Sequence, residues 1–114
     1  MIAHTPPPPY YAVIFTSIRT EGDLGYGVTA DRMAELAAEQ PGFLGMESAR
    51  EGVGITVAYW TDLKSIRAWR EHAEHTIARD TGRSTWYSAF KVRISKIERD
   101  YGWEQELEPL PASD

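Results

Sequence analysis

What constrains this chain most is a sequence of hydrophobic periods that switches between strand-like and helix-like, with strand-like segments that are apolar on both faces. Residues 10–18, YYAVIFTSI, are dense in β-branched and aromatic side chains and predict a strand. Turn chemistry follows in EGDLGYG. Met33, Leu36 and Ala37 then fall at three- and four-residue spacing, along one face of a helix that Thr29 or Asp31 caps and Pro41-Gly42 ends near Gln40. Residues 43–50, FLGMESAR, and 54–60, GITVAYW, flank the turn EGVG and predict an antiparallel hairpin. Asp62 caps a second helix with Leu63, Ile66, Trp69, Ala73 and Ile77 along one face, ending near Asp80. The segment 86–99, WYSAFKVRISKIER, is the last strand.

The order β-α-β-β-α-β is the split arrangement of ferredoxin-like α+β folds, a four-stranded antiparallel sheet with both helices on one face. A sheet with one wet face alternates apolar and polar side chains. This one does not: Tyr11, Val13 and Phe15 point one way, Tyr10, Ala12, Ile14 and Ile18 the other, and Ile55, Val57 and Tyr59 oppose Ala58 and Trp60. The open face therefore needs cover. A two-fold copy of the same chain supplies a second sheet and closes a dimeric α+β barrel, and tails folded over the sheet are the alternative. The division is a Pro-rich extended lead-in over 1–9, a folded domain over 10–103 and an acidic flexible tail over 104–114. Pro6 to Pro9 offer no amide donors to a sheet, and the tail, EQELEPLPASD, is poor in the side chains that offset ordering entropy.

With 114 residues the chain makes one domain, and its charge of −5 gives no footprint for a polyphosphate backbone, so nucleic acid is not an expected partner. It has no Cys, which excludes disulfides, thiolate catalysis and Cys-based metal centres and fits a reducing compartment. No apolar run approaches the ~20 residues that span a bilayer, and MIAHTPPPPYY has no signal-peptide organisation. The expectation is a cytoplasmic protein with no membrane partner.

Together with the element order, the phrase QPGFLGMESAR after the first helix and YWTDLKSIRAWREH into the second resemble the antibiotic biosynthesis monooxygenase family, over roughly residues 10–101. The resemblance implies a dimeric α+β barrel. It also implies one of several activities: cofactor-independent oxygenation of quinols and anthrones, haem degradation, isomerisation, or binding alone. Haem-degrading relatives carry an Asn on the first strand, a Trp on the second helix and a His about three turns later. Trp69 matches the Trp, the first strand has no Asn, and Arg79 stands where the relatives' His falls.

His72 and His75 lie three residues apart on the second helix, near enough in angle to border one pocket, and imidazole is suited to proton abstraction near neutral pH. A helix-surface pair near the C-terminal end is the simpler reading, and HxxH alone supplies only two metal ligands, so no metal is assigned. The glycines of GDLGYG do not have dinucleotide-loop spacing; Tyr26 between Gly25 and Gly27 belongs to a loop able to close over a ligand. Phe15, Trp60, Trp69, Trp86, Tyr87 and Phe90 converge on one core, which either encloses a flat aromatic ligand or is filled by its own rings. Arg83 sits in a turn where it can hold a phenolate or carboxylate. The expectation is a monooxygenase without cofactor, acting on a small aromatic quinol or polyketide-like phenol with molecular oxygen. His75 or His72 is its base, Arg83 the anion holder, and Trp69, Trp60, Trp86, Tyr87, Phe15 and Tyr26 the substrate walls. A haem-binding or haem-degrading protein and a non-catalytic small-molecule-binding dimer are the alternatives.

Overall fold

Each apolar run becomes the element that its period calls for. The computed structural model describes residues 2–22, 25–79 and 86–105, with the side chains of the second helix described as far as Ala73. The elements are β1 (Tyr10–Arg19), α1 (Tyr26–Ala38), β2 (Phe43–Glu51), β3 (Val53–Trp60), α2 (Leu63–Arg79) and β4 (Tyr87–Ile97). They form one four-stranded antiparallel sheet in the order β2-β3-β1-β4, a ferredoxin-like α+β fold. Among the described residues no helix is long and apolar enough to cross a membrane.

The expected cap of α1 needs correction. Neither Thr29 nor Asp31 starts it: the helix begins at Tyr26, and its N-cap is Gly25, whose φ of 85° is left-handed and which makes no side-chain capping bond. Glycine enters that conformation without a Cβ penalty, so the helix starts where the backbone turns and not where a hydroxyl or carboxylate offers itself. For α2 the expectation holds, with the Ser65 amide donating to Asp62 Oδ1 at 2.7 Å. The last strand is shorter than its apolar run, ending at Ile97.

Register aligns four cross-strand rows on the helix-facing side of the sheet: Arg50-Gly54-Ser17-Phe90, Ser48-Thr56-Phe15-Val92, Met46-Ala58-Val13-Ile94 and Phe43-Trp60-Tyr11-Lys96. The last row anchors the core. Trp60 is fully buried, edge-on to Phe43 at 5.4 Å and stacked on Trp69 of α2 at 6.1 Å. Burying an aromatic of this size removes ~150–250 Å² from water, worth at most about 4–6 kcal/mol.

The opposite face carries Ile18, Val53 and Ile55, each nearly half exposed. At its other end the lead-in lies on the sheet. The Ala3 amide donates to Glu47 Oε2 at 2.9 Å, Tyr59 donates its hydroxyl to Glu47 Oε1 at 2.7 Å, Thr5 donates to the Tyr10 hydroxyl at 3.1 Å, and Tyr10 donates to Asp100. Residues 2–5 are thus tied to the sheet around the Pro run, while the acidic segment from residue 106 lies outside the described residues. Tyr101 and Trp103, just after β4, are exposed.

Candidate functional site

The polar row at the hairpin end of the sheet builds the site. Arg50 leaves β2 and crosses β3 at Gly54, where a Cβ would collide with the guanidinium. Beyond it, Arg50 Nη2 donates to Ser17 Oγ at 2.5 Å and Nη1 approaches the Ser17 carbonyl at 3.4 Å. Ser17 is 1% exposed, so its hydroxyl is satisfied by an arginine reaching inward from a solvent-exposed position. Tyr26, Ser48, Ala49, Arg50, Gly54, Ile55 and Thr56 line an open cavity of ≈ 240 Å³ at this point, between the start of α1 and the β2-β3 hairpin.

Aromatic rings cluster beside the cavity. Tyr26 meets Trp86 and Tyr87 edge-on at 5.8 and 5.6 Å, Tyr87 meets Phe15 at 5.5 Å and Phe90 at 5.9 Å, and Phe15 meets Phe90 at 5.6 Å. These are the edge and tilted geometries that ring quadrupoles favour. The Arg19 guanidinium stands 3.6 Å from the Tyr26 ring centre, a cation–π contact. Burial, followed by its hydrogen bond with Tyr26, pushes the Tyr87 phenol well above its ordinary range, against the opposing charges of Arg50 and Arg19. Tyr87 is therefore a protonated phenol at neutral pH, fit to donate a hydrogen bond and not to act as a base.

The residues singled out in the sequence divide into two groups. Phe15, Tyr26, Trp86, Tyr87 and Phe90 form one ring cluster, which meets the cavity through Tyr26. Trp60, Trp69 and His72 lie with the row at the other end of β3, about 20 Å away at strand rise. The His72 ring lies 5.6 Å from that of Trp69, tilted by 46°. Because α2 returns from the end of β3 toward the start of β4, its backbone carries position 75 about 9 Å beyond Trp69 toward the cavity end. The His75 side chain and Arg83 lie outside the described residues. Among the described residues no group of three or more His, Asp or Glu side chains is placed to hold a metal ion. Arg50, Arg19, Ser17, Ser48 and Thr56 have no local sequence signature and join the site only through strand register.

A family model described as antibiotic biosynthesis monooxygenase matches residues 9–81. Over 100 residues the chain is 56% identical to the uncharacterised protein YqjZ of Bacillus subtilis strain 168, covering 86% of this chain and 88% of that protein. Among solved structures, a mutant of SnoaB, a cofactor-independent oxygenase from Streptomyces nogalater, superposes with a TM-score of 0.62 at 16% identity, covering 88% of this chain and 98% of SnoaB. The Pseudomonas aeruginosa protein PA3566 gives 0.63 at 13% identity, covering 82% and 97%. At such identities these two structures share a fold with the chain.

Proposed function

The chain belongs to the antibiotic biosynthesis monooxygenase family, and we propose that it is a cofactor-independent monooxygenase of a small aromatic quinol or phenol, bound where the ring cluster meets the cavity. The observation that carries this reading is the set of Tyr26, Tyr87, Phe15, Phe90 and Trp86 rings beside an opening lined by hydroxyls and a guanidinium. Aromatic walls hold a flat ring, and polar groups at one end orient its oxygens.

In this reading His75 takes the phenolic proton, because His72 lies with Trp69 about 20 Å from the cavity. The electron-rich anion then reduces oxygen, and the substrate itself supplies all four electrons: a ring C–H becomes C–O, the quinol becomes a quinone, and the second oxygen atom leaves as water. Tyr87 and Tyr26, hydrogen-bonded to each other, wall the ring, and Arg83 is the anion holder. The rings exclude water from the reactive anion. A two-fold copy covers the open face at Ile18, Val53 and Ile55, beyond the part that residues 2–5 occupy. The haem reading draws on Trp69 and His75. Trp69 does not line the described cavity, and its volume lies below the ~300–1,000 Å³ of pockets that enclose drug-sized ligands, so the small-phenol reading is preferred.

The test is oxygen uptake on a panel of quinols and anthrones by wild type and by the double variant His72→Ala, His75→Ala. Saturable uptake that falls at least 100-fold in the variant, in line with the ~10²–10⁴ typical of general-base catalysis, supports the reading. Uptake unchanged in the variant removes the histidines from it, and no uptake with any substrate favours a binding protein.

A further inference from the structure

We infer that the cavity at Arg50 is a carboxylate site, so that the ligand is an aromatic ring bearing a fixed anionic carboxylate beside its phenol. The inference deepens the proposed function, since it takes the same cavity to be the substrate site. Several features converge there. The Arg50 guanidinium is fixed from below by the missing side chain of Gly54 and from ahead by Ser17, which together use two of its five N–H donors. No carboxylate among the described residues pairs with it. An arginine committed to internal structure would have its remaining donors satisfied by the protein; here they face a cavity.

The other features add positive potential and a place for the ring. The N-terminal end of α1 reaches the same cavity through Tyr26 and has no acidic residue in its first turn, so the positive end of the helix dipole lies on that side. Arg19 stands 3.6 Å over the Tyr26 ring. This collection of positive charge stands out in a chain of net charge −5. Ser48 and Thr56 add hydroxyl donors, and along the same two rows the sheet carries Phe15 and Phe90, with Tyr87 against both. A volume of ≈ 240 Å³ admits one substituted ring end and no large polyanion. A single guanidinium fork matches the two oxygens of a carboxylate; it also fits a phosphate, which the experiment distinguishes.

The experiment measures binding under nitrogen, with no turnover. Full-length protein is titrated by calorimetry with 1-hydroxy-2-naphthoate, with its methyl ester, with 1-naphthol and with inorganic phosphate. The site predicts that the naphthoate binds at least tenfold more tightly than the ester or naphthol, that this margin shrinks as salt rises, and that phosphate competes only weakly. In Arg50→Gln the margin disappears while naphthol affinity stays within twofold; Arg50→Lys keeps part of it, as a charge without the fork. Equal affinities for naphthoate and ester in wild type overturn the assignment without any variant having to fold. So does a margin that survives Arg50→Gln, or phosphate that binds as tightly as the naphthoate. Absence of oxygen uptake, by contrast, defeats the oxygenase reading and leaves the carboxylate site standing.

Discussion

Trp60 shows how one side chain sets the core of a small sheet. It is fully buried between Phe43 and Trp69, and its indole nitrogen has no hydrogen-bond partner among the described residues. Trp60→Ala opens a cavity between sheet and α2 and costs about 3–5 kcal/mol, which lowers the thermal midpoint by roughly 10–25 °C in a domain of this size. Trp60→Phe keeps a ring and removes an unpaired donor, so it costs less than half as much. Calorimetric melting of both variants checks this, and a loss under about 5 °C for Trp60→Ala would place the core elsewhere. At this scale the sequence is readable for residues whose role follows from a local period, such as Ile66 and Ala37 on their helix faces. It is silent about Arg50 and Ser17, 33 positions apart, because only the pairing of β1, β3 and β2 makes them neighbours.

Among elements, the strands and helices follow from period and punctuation, and the hairpin, both helices and the strand order are legible before any coordinates. What is not legible is how elements are joined by polar contacts. The lead-in reads as a featureless Pro run, yet Ala3 and Thr5 on its near side reach the open face through Glu47 and Tyr10. This contact sets a pH dependence. The hydrogen bond from Tyr59, then that from Ala3, holds the Glu47 carboxyl below its ordinary 4.5. Its contribution is therefore present above pH 4.5 and is lost as pH falls through the lowered value. Burial, then the bond to Glu47, pushes Tyr59 from 10.0 to about 12, so its contribution is present below pH 10 and is lost as pH rises toward 12. Urea midpoints against pH should show a shallower acid limb in Glu47→Gln and a shallower alkaline limb in Tyr59→Phe, with Glu47→Gln about 1 kcal/mol less stable at neutral pH. Limbs as steep as wild type in both variants would mean that the lead-in contact carries no free energy.

For the whole molecule, two-sided strands read from sequence ask for a partner, and the fold leaves Ile18, Val53 and Ile55 nearly half exposed on the open face. Light scattering should give about twice the 12.9 kDa chain mass, and Val53→Glu with Ile55→Glu should return the monomer, since buried like charges facing each other across a two-fold axis are costly. A monomeric wild type would leave that face to some other cover. Function was legible in sequence only as a family and a set of rings. The cavity that gives those rings a polar end depends on α1 starting at Gly25 and on the row Arg50-Gly54-Ser17, neither of which a linear pattern displays. The most direct test of the central claim is mass spectrometry of products formed by chelator-treated protein under ¹⁸O₂ with the best quinol of the panel. A monooxygenase working in this cavity gives product carrying one ¹⁸O atom, with the yield at least tenfold lower in Tyr26→Ala. Product without label, or labelled product formed equally well by Tyr26→Ala, would contradict it.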